Sequence, residues 1–72
     1  MIVEKDLLKI ITLAQTKSIL NKRTYHILEY TNNNDKYYIL CNSVEFVDLS
    51  GRDNYVVICS VNKNGYLLSY IN

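Results

Sequence analysis

The chain has no proline and no tryptophan, and only two glycines, two cysteines and one histidine in 72 residues. With Gly51 and Gly65 alone, neither a glycine-rich phosphate loop nor a dinucleotide-binding fingerprint can be written into it. One histidine, His26, and two cysteines without a second ligand at metal spacing leave no ordinary structural zinc site. Cys41 and Cys59 each sit inside an apolar, strand-like run, which reads as two buried reduced thiols, with a cross-strand disulfide as the alternative. Charge of either sign is also missing in excess. Eight Lys and Arg face seven Asp and Glu for a net +1, which argues against strong nonspecific nucleic-acid binding. No run approaches the roughly 18 apolar residues of a membrane span, and Glu4 and Asp6 interrupt any signal-like start. The expectation is a cytoplasmic protein with no membrane contact and no cofactor.

Catalytic motifs are equally scarce. Glu29, Asp35, Glu45, Asp48 and Asp53 show no paired spacing, and Ser43, Ser50, Ser60 and Ser69 lack the glycine-flanked elbow of a hydrolase nucleophile. No catalytic residue and no metal ligand is assigned. What is abundant is tyrosine, seven in all, together with asparagine, including the run Asn32, Asn33, Asn34. Abundant Asn, Lys, Ile and Tyr suits AT-rich coding, as in a low-GC bacterium or its phage.

At this length residues 1–72 form a single domain, because a shorter unit could not bury a core of its own. From Val3 to about Lys17, Val3, Leu7, Ile10, Ile11 and Ala14 recur at spacings of three and four, the stripe of an amphipathic helix. Glu4 and Asp6 near its start and Lys17 near its end complement the helix dipole, and Ser18 to Lys22 read as the connection. Beyond Arg23 the period becomes two. Thr24 to Tyr30 and Lys36 to Cys41 read as strands around a polar loop, Thr31 to Asp35. Residues 42–49 fit either a continuing strand with a bulge or a short helical turn. Ser50 to Asn54 is a loop. Tyr55 to Val61 and Tyr66 to Ile71 then form a closing hairpin, in which Gly65 supplies a positive φ. The predicted fold is α+β: an N-terminal helix packed on one face of a roughly four-stranded antiparallel sheet made of two hairpins.

In this arrangement Val57, Cys59 and Val61 share a face with Leu67 and Ile71, while Val56, Ile58, Tyr66, Leu68 and Tyr70 take the other. Both faces are apolar, yet one helix covers only one of them. The bare face predicts a contact surface, since large exposed apolar patches on soluble proteins mark partner or ligand sites. Tyr66, Leu68, Tyr70, Ile58, Tyr55, Tyr37 and Tyr38 are its candidate binding residues. Tyrosine suits the part, offering a large area at little rotamer cost and a polar tip, although it is also a common strand former. The expected partners are a second copy, as a homodimer, a protein target, or both. The leading functional expectation is a small interaction protein that inhibits or modulates a host protein, as an anti-defence product of a phage or mobile element would.

Lys22, Arg23 and His26, with Tyr25, form the one basic and aromatic cluster, a possible phosphate contact with a group able to move a proton near neutral pH. Asn54 to Tyr70, NYVVICSVNKNGYLLSY, resembles the closing hairpin of small ribonuclease toxins of the RelE and barnase-like group. That resemblance implies helices before an antiparallel sheet and a single-strand-specific ribonuclease activity. The chain departs from the group in carrying no basic residue after its last strand and no surplus of Lys and Arg. A further alternative is a module that binds single-stranded nucleic acid by stacking bases on its tyrosines, which would need a basic groove.

Overall fold

The computed structural model describes residues 2–69. The expected Tyr70 and Ile71 of the last strand lie outside the described residues. Asp6 sets where the first helix begins. Its extended backbone and its carboxylate, accepting from the amides of Leu8 and Lys9 at 3.0 and 3.4 Å, make it the N-cap of α1, Leu7–Asn21. The helix ends at Lys22, which turns left-handed at φ 53°. It therefore starts later and runs further than the apolar spacing predicted. Val3 and Glu4, taken above as its first turn, instead belong to strand β1, Ile2–Glu4, and the Glu4 carboxylate caps the amides of Lys5 and Asp6. Ser18 belongs to the buried row Ile10, Ala14, Ser18 rather than to a connection. Its hydroxyl donates to the carbonyl of Val61 at 3.3 Å, so the helix lies on the sheet with this polar group satisfied.

The sheet is antiparallel throughout, in the order β1-β3-β2-β4-β5. Strands β2 (Tyr25–Asn32) and β3 (Asp35–Cys41) form a hairpin tighter than expected, turning on Asn33 and Asn34 alone, with Asn33 at φ 56°. Asparagine accepts this left-handed conformation more readily than most residues. Strand β4 (Tyr55–Val61) returns beside β2, and β5 (Leu67–Ser69) lies outside it. β1 adds a fifth strand along the outer edge of β3.

Residues 42–49, left open between strand and helical turn, include α2, Ser43–Leu49. A capping box closes its start: Asn42 Oδ1 accepts from the Glu45 amide and the Glu45 carboxylate accepts from the Asn42 amide, both at 2.9 Å. The helix turns Phe46 and Leu49 onto the sheet and leaves Val44 and Val47 exposed. The second face is consequently not bare from end to end. α2 covers Leu28, Ile39 and Cys41, while α1, through Ile10 and Ala14, covers Ile27, Leu40, Cys59 and Val61 on the other side.

A bulge in β4 feeds both layers. Cys59 stands opposite Ile27 and Val57 opposite Leu28, so Ile58 is the extra residue. This corrects the predicted parity. Cys59 and Val61 face α1, but Val57 packs with Leu28 under α2, and Ile58 joins the α1 side instead of the opposite face. The closing hairpin is docked on α1 through its turn. Gly65, at φ 86°, lies against Ile19, and its carbonyl accepts from Gln15 Nε2 at 3.2 Å.

Candidate functional site

The part of the second face that α2 leaves uncovered is a row of three tyrosines. The two-residue turn places Tyr37 opposite Tyr30, and the β2–β4 register places Tyr55 opposite Tyr30 on its other side. All three share the face of Leu28 and Ile39, because strand side chains alternate. The rings of Tyr30 and Tyr55 have centroids 4.9 Å apart at 37°. Val3, brought alongside Ile39 by β1, closes the far side, and Lys5 holds its ammonium 5.1 Å from the centre of the Tyr37 ring. Val3, Tyr30, Tyr37, Ile39 and Tyr55 line an open cleft of about 360 Å³ with no charged residue among them. Aromatic walls over an apolar floor can take up an apolar or aromatic group.

The predicted binding residues divide between places. Tyr37 and Tyr55 line the cleft. Tyr38 and Ile58 lie on the opposite face, packed against the α1 core. Tyr66, 69% exposed, precedes β5, and Leu68, 53% exposed, pairs with Ser60 at that edge. From Ser60 to Tyr55 is about 15 Å along a strand, so the β5 residues do not join the cleft. Tyr70 lies outside the described residues. Val3, Tyr30 and Ile39 were not among the predicted site residues. A signal for Tyr30 was present, since it and Tyr37 are equidistant from the middle of Asn33-Asn34.

The basic cluster is separated by the fold. Lys22 lines a pocket of about 460 Å³ with Ile19, Lys63 and Asn64, whereas Arg23 lines another, of about 290 Å³, with Thr24, Asn42, Ser43 and Val44. His26 is half-buried beneath α2, its ring stacked on Phe46 at 4.0 Å between centroids and 19° between planes. Its Nε2 lies 3.5 Å from the Ser43 hydroxyl, and its Nδ1 is buried with no hydrogen-bond partner.

A buried N–H without an acceptor costs about 1–3 kcal/mol, so the proton of the neutral ring belongs on Nε2, pointing at Ser43. In that tautomer His26 offers Ser43 a donor, not a base. Burial lowers the pKa of His26 below its ordinary 6.5. Stacking of an imidazolium on Phe46 would favour the charged ring by about 0.5–2 kcal/mol, but the cost of burying a charge and an unmet donor exceeds it.

Cys41 and Cys59 are free, buried and on opposite faces, Cys41 under α2 and Cys59 under α1. Burial, with the Glu45 carboxylate second, pushes the Cys41 thiol up to about 11, and burial raises Cys59 as well. Neither is a poised nucleophile. Among the described residues no group of three or more His, Cys, Asp or Glu could hold a metal ion, and no helix is long and apolar enough to cross a membrane. The chain matches no family model, no curated protein and no solved structure, so its function is read from this surface alone.

Proposed function

We propose that this is a small non-enzymatic interaction protein that binds a protein partner through the row Tyr55, Tyr30, Tyr37 with Val3 and Ile39. The observation that carries the reading is the uncharged tyrosine cleft at the open end of the second sheet face. Its lining comes from four neighbouring strands of one hydrogen-bonded sheet, so it is ordered before binding and little entropy is lost on contact. An apolar lining suits an apolar or aromatic side chain of a protein better than a phosphate backbone. The partner is a second copy or a host protein. Action on a host protein, as the product of a phage or mobile element in a bacterial cytoplasm, is supported by the small size and the Asn-, Lys-, Ile- and Tyr-rich composition.

Photo-crosslinking tests the surface directly. A benzophenone side chain placed at position 37 should yield one discrete adduct, with a second copy in pure protein or with a host protein in bacterial lysate, and Tyr55→Asp should abolish it. The same group at position 36 serves as the control, because Lys36 is on the opposite face and pairs with Glu29 at 3.9 Å. Equal adducts from both positions, or none from position 37, would refute the reading. Salt-dependent oligonucleotide binding at the tyrosines would replace the protein partner by single-stranded nucleic acid. RNA cleavage on expression, relieved by His26→Ala, would replace binding by ribonuclease activity.

A further inference from the structure

The second helix and the histidine beneath it form a unit that the binding surface does not use. α2 has seven residues, too few to be helical alone, since isolated helices shorter than about 12–15 residues are marginal in water. It persists through its capping box and through Phe46 and Leu49 seated on the sheet. One of those two anchors rests on the only titratable ring of the chain that changes charge near neutral pH. Neutral His26 fits: with the ring proton on Nε2, which faces Ser43, the buried Nδ1 needs no acceptor. A second proton makes both nitrogens donors and leaves Nδ1–H buried with no acceptor.

The groups around the ring do not compensate. β3 places Cys41 opposite His26, a neutral thiol that donates to the His26 carbonyl at 3.7 Å, and β4 places Ser60 opposite on the other side. α2 contributes Phe46, Ser43 and Glu45, whose carboxylate accepts from the Asn42 amide. That bond lowers the pKa of the Glu45 carboxyl. Arg23 lines a separate pocket with Thr24, Asn42, Ser43 and Val44, which holds no carboxylate.

We infer that α2 is a pH-released cover: protonation of His26 lifts it from the sheet and bares Cys41, while the α1 side stays closed. The tethers allow it, because α2 is joined to β3 and β4 by short segments that can hold while the helix between them unfolds locally. This goes beyond the binding reading and does not depend on it.

The two cysteines supply the assay, one reporter under each helix. Labelling with 4,4′-dithiodipyridine is followed by mass spectrometry at about pH 7.5 and about pH 5, each site being normalised to its rate in unfolded protein. The expected result is a rise of about threefold or more at Cys41 with no rise at Cys59. The rise should share its midpoint with the NMR titration of the single imidazole, and His26→Phe should remove it. Phe46→Ala should expose Cys41 at both pH values. The inference is overturned if Cys41 shows no rise, if both thiols rise together, if the midpoints differ, or if a folded His26→Phe protein keeps the response. Should His26→Phe not fold, the shared midpoint and the contrast between the two thiols decide alone.

Discussion

Replacing Gly65 by alanine should cost this protein about 2 kcal/mol, while the same change at Gly51 should cost nothing. At Gly65 the backbone holds φ 86°, where a side chain is strained by about 1–2 kcal/mol. The added Cβ would also stand 2.8 Å from Ile19 Cδ1 and 3.1 Å from Cγ1. Ile19, a partly exposed side chain, must turn aside, at up to about 0.5–1.5 kcal/mol more if it is driven off its rotamer. A stiffer unfolded chain returns about 0.4–1 kcal/mol. Around Gly51 no atom lies within 4 Å and φ is ordinary, so only that last gain remains. Urea unfolding, with m near about 1 kcal/mol/M for a chain of this size, should show the midpoint fall by about 2 M at unchanged m. Ile19→Ala in the Gly65→Ala background removes the collision but not the backbone strain, and a double-mutant cycle should recover about 0.5–1.5 kcal/mol. If Gly65→Ala behaves like Gly51→Ala, the seating of the closing turn on α1 described here is wrong.

Because the pKa of His26 is lowered on folding, unfolded chains bind more protons than folded ones just below pH 6.5; stability is full above that value and falls as pH drops through the folded pKa. Urea melts across that window should show the slope, and His26→Phe should flatten it. Ser18→Ala leaves the Val61 carbonyl without its side-chain donor, and after the better helix propensity of alanine the net loss should be about 1 kcal/mol by thermal melting. No disulfide should form within the chain under oxidants, because Cys41 and Cys59 lie on opposite faces; a one-disulfide species on a non-reducing gel of native protein would contradict the register. Tyr37→Asp should abolish the contact made by the cleft and Leu68→Asp should leave it intact; by sedimentation or crosslinking, sensitivity to Leu68 alone would move the site to the β5 edge.

The α1 stripe could be read from the chain because Leu7, Ile10, Ile11 and Ala14 recur at the spacing of one helix face, whatever lies beneath them. Its ends could not. Val3 continues the same stripe, and only the free edge of β3, with Leu40, Ile39 and Tyr38 there to pair with, makes residues 2–4 a strand. Likewise Val44 and Phe46 alternate as in a strand, but the Asn42–Glu45 capping box and the apolar surface waiting for Phe46 and Leu49 select a helix. Of the cleft, the tyrosines were visible as a residue type and their grouping was not. Tyr37 and Tyr38 are neighbours in sequence and lie on opposite faces, whereas Tyr30, Tyr37 and Tyr55 come from three strands.

Local periodicity, turn residues and composition therefore determined the α+β class, the helix, the hairpins, the lack of known catalytic signatures and the expectation of an aromatic contact surface. Tertiary structure decided which face each residue takes. A strand repeats every two residues, so the single extra residue at Ile58 reverses the parity beyond it, sending Val57 to one core and Cys59 to the other. No local signal marks that bulge. It follows from two helices needing apolar ground on opposite sides of one sheet, and the same division leaves the tyrosine row uncovered.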